Sequence, residues 1–131
     1  RWIKWWGMII YLFFIHWLCD FVLQTRWQGN NKSHNMRALF NHVFTYSIVM
    51  TILLLPFMGV KAFLFGGVTF LAHGITDYFT SRLNKHLWLK REQYKDSDSF
   101  KSNEYEKLFW ISIGYDQFLH SLQLILTYKW I

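Results

Sequence analysis

The sequence predicts an all-α integral membrane protein, a four-helix bundle with a metal-ligand type His/Asp cluster in its cytoplasmic half. Three features point to it. Four windows, residues 5–25, 38–60, 62–81 and 108–128, are almost free of Asp, Glu, Lys and Arg, and each matches the roughly 20 residues a helix needs to cross a bilayer's hydrocarbon core. The second window has no formal charge, while the others carry one each, Asp20, Asp77 and Asp116. Each of those aspartates has a histidine four residues away. A soluble domain of 131 residues would instead carry charge along the outer face of every helix.

The first span ends near Gln24, where Thr25, Gly29, Asn30 and Asn31 supply turn chemistry. The second runs into Pro56 and Gly59, a tight turn that makes it an antiparallel neighbour of the third. The third contains Gly66, Gly67 and Gly74, small residues that let helices approach closely in lipid. Beyond Arg82, Leu87-Trp88-Leu89 is expected to lie along an interface and Lys95 to Asn103 to form a flexible loop. Asn103, with Glu106 three residues on, is the expected cap of the fourth helix. One domain spans 1–131, with connections at 26–37 and 82–107.

Aromatic residues make up 21% of the chain. Trp2, Trp5, Trp6, Trp27, Trp88, Trp110, Tyr128 and Trp130 stand at window ends, as in the aromatic belts of membrane proteins. Together with the polar loops they account for a mean hydropathy of only +0.09. The net charge of +6 would suggest nucleic acid in a soluble chain. In a membrane protein it reports orientation and attraction to anionic lipid, so the bilayer is the expected partner and nucleic acid is not. The two longer connections hold ten Lys and Arg against four, Arg1, Lys4, Lys61 and Lys129, on the other side. That bias puts both connections in the cytoplasm and both termini outside. The chain opens on Arg1, leaving room for residues ahead of it, and no cleavable signal pattern is read. Cys19 is the only cysteine, inside the first span, where a buried, inert thiol is expected.

The pairs are His16-x-x-x-Asp20, His73-x-x-x-Asp77 and Asp116-x-x-x-His120. Residues at i and i+4 share a helix face. His precedes Asp in the two spans descending toward the cytoplasm and follows it in the one that ascends. Order and direction reverse together, so the aspartates form one layer nearer the cytoplasm and the histidines a deeper one, with His42 in the same half. A carboxylate in mid-span costs about 2.5–3.5 kcal/mol on insertion scales and needs a partner. His16, Asp20, His42, His73, Asp77, Asp116 and His120 are therefore candidate ligands for one or two divalent transition metals, zinc first, with iron or manganese also suited. Asp20, Asp77 and Asp116 are the catalytic candidates. Gln24, Gln117 and Gln123 are expected to hydrogen-bond the ligands from behind, Lys32 to meet a substrate phosphate or the interface, and His34 and His86 to be solvated.

The segments His16-x-x-x-Asp-Phe-x-Leu-Gln24, Asn31-Lys32, Leu39-x-x-His42, His73-x-x-x-Asp-Tyr78 and Asp116-Gln-x-x-His120 resemble a domain-of-unknown-function family of small bacterial and phage integral membrane proteins. That resemblance implies an inner-membrane, multi-pass protein and no established reaction. In motif style the chain is also similar to membrane-bound metal-dependent hydrolases. The expectation is a membrane-embedded metal-dependent hydrolase of a lipid phosphate or phosphodiester from the cytoplasmic leaflet. A metal lowers the pKa of bound water and polarises the scissile group, and a carboxylate takes the proton. A metal or proton conduit, and a non-catalytic accessory protein stapled by His/Asp contacts or a metal, are the alternatives.

Overall fold

The computed structural model describes residues 2–131, with side chains from Lys4 onward. Arg1, counted among the outer charges, and the Trp2 side chain, placed in the aromatic band, lie outside the described residues. Among those described, every regular element is helical: α1 (Trp2–Trp17), a π-helical turn (Leu18–Val22), α2 (Arg26–Asn31), α3 (Met36–Met58), α4 (Lys61–Tyr94) and α5 (Ser99–Trp130). α4 packs on α3 and α5, and α1 touches α3 and α5, so that the long helices close a ring with α1 diagonal to α4. Lys4–Val22 and Met36–Met58 are long and apolar enough to cross a membrane by length and composition. The third and fourth windows lie inside α4 and α5, where buried His, Asp, Thr and Ser dilute the apolar content.

Helix ends follow from local chemistry. Thr25 and Gln28 form a reciprocal capping box, with Gln28 N–H donating to Thr25 Oγ1 at 3.1 Å and Thr25 N–H to Gln28 Oε1 at 3.0 Å. The segment after the first span is thus a short helix, where turn chemistry suggested a loop. Asn35 Oδ1 caps α3 by accepting from Arg37 N–H at 2.9 Å. α3 continues through Pro56 and stops at Gly59, whose φ of 59° suits a residue without Cβ. Gly66 then lies so close to α3 that a Cβ would overlap the Thr51 hydroxyl, whereas Gly67 has open space around it.

The connection 82–107 is corrected more substantially. Residues 82–94 continue α4, and α5 starts at Ser99 behind Asp98, which accepts from Lys101 N–H at 3.1 Å. The cap is therefore Asp98 and not Asn103, and Lys95 to Asn103 is a short turn followed by helix. The reason is a seam at helical spacing. Ser112 Oγ donates to Asn84 Oδ1 at 2.5 Å, Trp88 meets Phe109 with ring centroids 5.0 Å apart, Ser102 Oγ donates to the Arg91 carbonyl at 3.0 Å, and Tyr94 stacks on Tyr105.

Two interiors result. Toward the α3–α4 turn, Met8, Leu12, Ile15, Cys19, Tyr46, Met50, Leu54, Phe65 and Leu124 form an apolar core. Toward the other end the interior is polar, while the outer faces are apolar. Phe40, Phe44, Ile48 and Ile52 stand exposed along α3, as do Leu71, Ile75 and Phe79 along α4.

Candidate metal centre

All seven sequence-identified ligand candidates meet in the polar half, each at most 6% exposed. The i, i+4 spacing delivers His73 and Asp77 from α4, and Asp116 and His120 from α5, onto inward faces. Asp20 arrives differently. It sits in the π-helical turn, closed by Leu23 N–H to the Leu18 carbonyl at 3.0 Å, a widening that interrupts the α-helix beside the site.

Two groups of side chains could hold a metal ion: Asp20, His42, His73 and Asp77, and Asp20, Asp116 and His120. In the first, His42 Nε2 is 3.0 Å from Asp20 Oδ1 and 3.3 Å from Asp77 Oδ2. His73 Nε2 is 3.6 Å and 3.4 Å from the same two oxygens, and the two Nε2 atoms are 3.4 Å apart. Four atoms about 2.0–2.1 Å from one tetrahedral centre stand about 3.3 Å from one another. These five separations fit that figure. In the second group, His120 Nε2 lies 3.2 Å from Asp116 Oδ1, and it is also 3.1 Å from Oδ1 of Asp77 in the first.

The rings are oriented by stacking. His73 lies between Tyr46 and His120, with centroids 4.0 Å from each and interplanar angles of 22° and 24°. The Nδ1 atoms of His73 and His120 have no hydrogen-bond partner among the described residues, so aromatic contact stands in for the hydrogen bond that usually fixes a ligating imidazole.

His16, expected among the ligands, is engaged elsewhere. Gln117 Nε2 donates to Asp20 Oδ2 at 3.2 Å and Asp116 Oδ2 at 3.1 Å, which turns Oε1 toward His16 Nε2 at 2.8 Å. An amide oxygen only accepts, so His16 Nε2 carries the proton and Nδ1 accepts from Tyr46 OH at 2.6 Å. Neither nitrogen is left for a cation, and His16 stands 3.9 Å from Asp20. Gln117 hydrogen-bonds the cluster from behind as expected of it. Gln123 instead donates to Thr69 and Thr127, and Gln24 packs over Gly29. Two contributors were missed. Tyr46 follows His42 at the same i+4 spacing as the motif pairs, and Thr80, hydrogen-bonded to Asp116, shares the α4 face of His73 and Asp77. Both signals were present in the sequence.

Lys32 reaches inward from the chain after α2, its Nζ 3.1 Å from Asp77 Oδ2. Burial opposes its charge, but Asp77 and Asp20 outweigh burial and raise its pKa above the usual lysine range. His34 and His86 are exposed, and His86 lies on helix rather than loop. Cys19 is buried and unpaired, in the apolar core.

A pocket of about 520 Å³ leads into the cluster from the end bearing residues 24–33 and 81–88. Asp20, Asp116, Gln117 and Lys32 line it, and no histidine does. Phe21, Trp88, Phe109 and Trp110 supply its aromatic lining, and Gln24, Asn30, Asn84 and Lys85 are among its polar residues.

Fold and site together define an all-helical protein whose polar interior is a His/Asp cluster able to hold metal. The chain belongs to the family described as a protein of unknown function, DUF3307, which it matches over residues 8–131. No curated protein and no solved structure matches it.

Proposed function

We propose that this protein is a membrane-embedded, metal-dependent hydrolase of lipid phosphates or phosphodiesters. The observation that carries the reading is the convergence of His42 Nε2, His73 Nε2, Asp20 Oδ1 and Asp77 Oδ2 at tetrahedral spacing. Three carboxylates against one Lys32 ammonium leave two negative charges, which one divalent cation offsets. The nitrogen and oxygen donors suit zinc, with iron or manganese as alternatives. Such an ion supplies Lewis acidity. Asp116, held by Thr80 and Gln117 on the pocket wall, meets the incoming water and substrate.

Polar residues inside and apolar residues outside favour a four-helix bundle in a bilayer, since soluble monomers rarely expose contiguous apolar surface beyond a few hundred Å². Exposed Trp6, Trp27, Trp110 and Trp130 suit its interfaces. The ten-to-four basic bias puts the pocket mouth in the cytoplasm, and the family resemblance suggests a bacterial inner membrane. The pocket then opens at headgroup depth. Lys32 and Lys85 suit an anionic phosphate, and the aromatic wall suits an acyl or prenyl chain. The pocket volume lies within the range of small-molecule sites.

A conduit is less well supported, because the apolar core closes the far half, where the polar contacts among the described residues are isolated ones such as Thr69–Gln123–Thr127, Tyr11–Leu53 and Thr51–Ser47. A metal-free staple is favoured by the Lys32–Asp77 ion pair, which already brings a cation to the cluster, and by the direct His42–Asp20 and His120–Asp77 hydrogen bonds.

Elemental analysis of detergent-purified protein, paired with phosphate release from labelled bacterial lipid, tests the reading. Bound zinc, iron or manganese is expected, lost in His42→Ala. Asp116→Asn is expected to keep a bound ion and lose turnover at least 100-fold, an order set by general acid–base contributions. Metal-free protein with an ordered cluster would leave the staple standing instead.

A further inference from the structure

The Asp77 carboxylate faces two sets of donors at once. Oδ2 is 3.3 Å from His42 Nε2, 3.4 Å from His73 Nε2 and 3.1 Å from the Lys32 ammonium, whereas Oδ1 is 3.1 Å from His120 Nε2. His73 and His120 are stacked 4.0 Å apart and near-parallel, each presenting Nε2 to a different oxygen of that carboxylate. Asp20 is likewise common to both groups of candidate ligands. Metal pairs in hydrolytic sites stand about 3.5–4 Å apart, a separation that a carboxylate with one oxygen on each ion can span.

We infer that the centre is built for two divalent cations, bridged by Asp77 and Asp20. The inference rests on the hydrolase reading and deepens it. The inner ion is held by His42, His73, Asp20 and Asp77. The outer ion is held by His120, Asp116 and the bridging carboxylates. Asp116, which belongs to the outer set alone, lines the pocket, whereas the inner set reaches it only through the shared Asp20, so the outer position lies nearer the substrate space.

Charge gives the two positions different strengths. The first ion neutralises the deficit left by the three carboxylates and Lys32. The second adds two positive charges to a buried, neutral site, and an anionic phosphate entering from the pocket is the natural counter-charge. The inner ion therefore binds tightly. The outer one exchanges, and its affinity rises when phosphate is present.

The test uses full-length protein in detergent, stripped by chelator and titrated with Mn²⁺ alone, then with Mn²⁺ plus inorganic phosphate, followed by metal analysis and electron paramagnetic resonance. Two equivalents are expected, the second binding at least tenfold tighter with phosphate, with the exchange-coupled spectrum of a Mn²⁺ pair. His120→Ala should retain one equivalent with the six-line spectrum of an isolated ion. His120→Gln, closer in size, should do the same and guards against misfolding in the alanine variant. Saturation at one equivalent with phosphate release intact overturns the pair and leaves the hydrolase reading in place. Two equivalents without coupling also overturn it. No bound metal overturns both.

Discussion

Gln117 shows how much one uncharged side chain decides in a buried site. Its amide holds Asp20 and Asp116 with one end and fixes the His16 tautomer with the other. His16 thereby becomes a link between Tyr46 and the carboxylates rather than a ligand. His16→Ala is expected to retain metal near one-for-one with the inner position, while His73→Ala loses it, measured by metal content after dialysis. Loss of metal in both would restore His16 to the ligands. The i, i+4 spacing made His16 and His73 look equivalent, and only their neighbours separate them. The same holds for Lys32, whose place on Asp77 depends on the capping box that turns the chain back over the cluster.

Among the elements, the α4–α5 hairpin departs most from expectation. At 34 residues, α4 is about 51 Å long at 1.5 Å per residue, well beyond an apolar core of about 30 Å. The excess carries Asn84 and Trp88, which meet α5 and wall the pocket. Charged residues along this stretch concealed a helix, because the contacts that stabilise it come from partners 11 to 28 residues away in sequence. Leu87→Pro, inside that helix, should cost about 3 kcal/mol or more and reduce lipid hydrolysis at least tenfold. Ser97→Pro, in the turn, should leave both near wild type. Thermal unfolding in detergent and the lipid assay would show it, and equal tolerance of the two prolines would mean the hairpin contributes little. The π-helical turn at Leu18–Val22 was equally hidden: its residues read as ordinary apolar span, and nothing in their composition marks the extra residue in the turn.

For the molecule as a whole, orientation is the exposed consequence. Single cysteines at Asn30 and Ser99, in a Cys19→Ala background, should resist impermeant thiol reagents in intact cells and react in inverted vesicles. Labelling of either from outside would reverse the topology and put the pocket mouth on the other face. Substitution of Cys19 is suitable because its side chain lies in the apolar core and belongs to neither group of candidate ligands. Helical content and the convergence of Asp20, His42, His73, Asp77, Asp116 and His120 were legible from sequence, since charge-poor windows and a four-residue period act locally along each helix. Tertiary structure decided the rest. Which nitrogen or oxygen faces a cation, which histidine is consumed by hydrogen bonds, and how Asp77 divides its two oxygens between stacked rings all depend on side chains from different helices. Their separations are set by packing across the bundle, and no spacing within one helix encodes them.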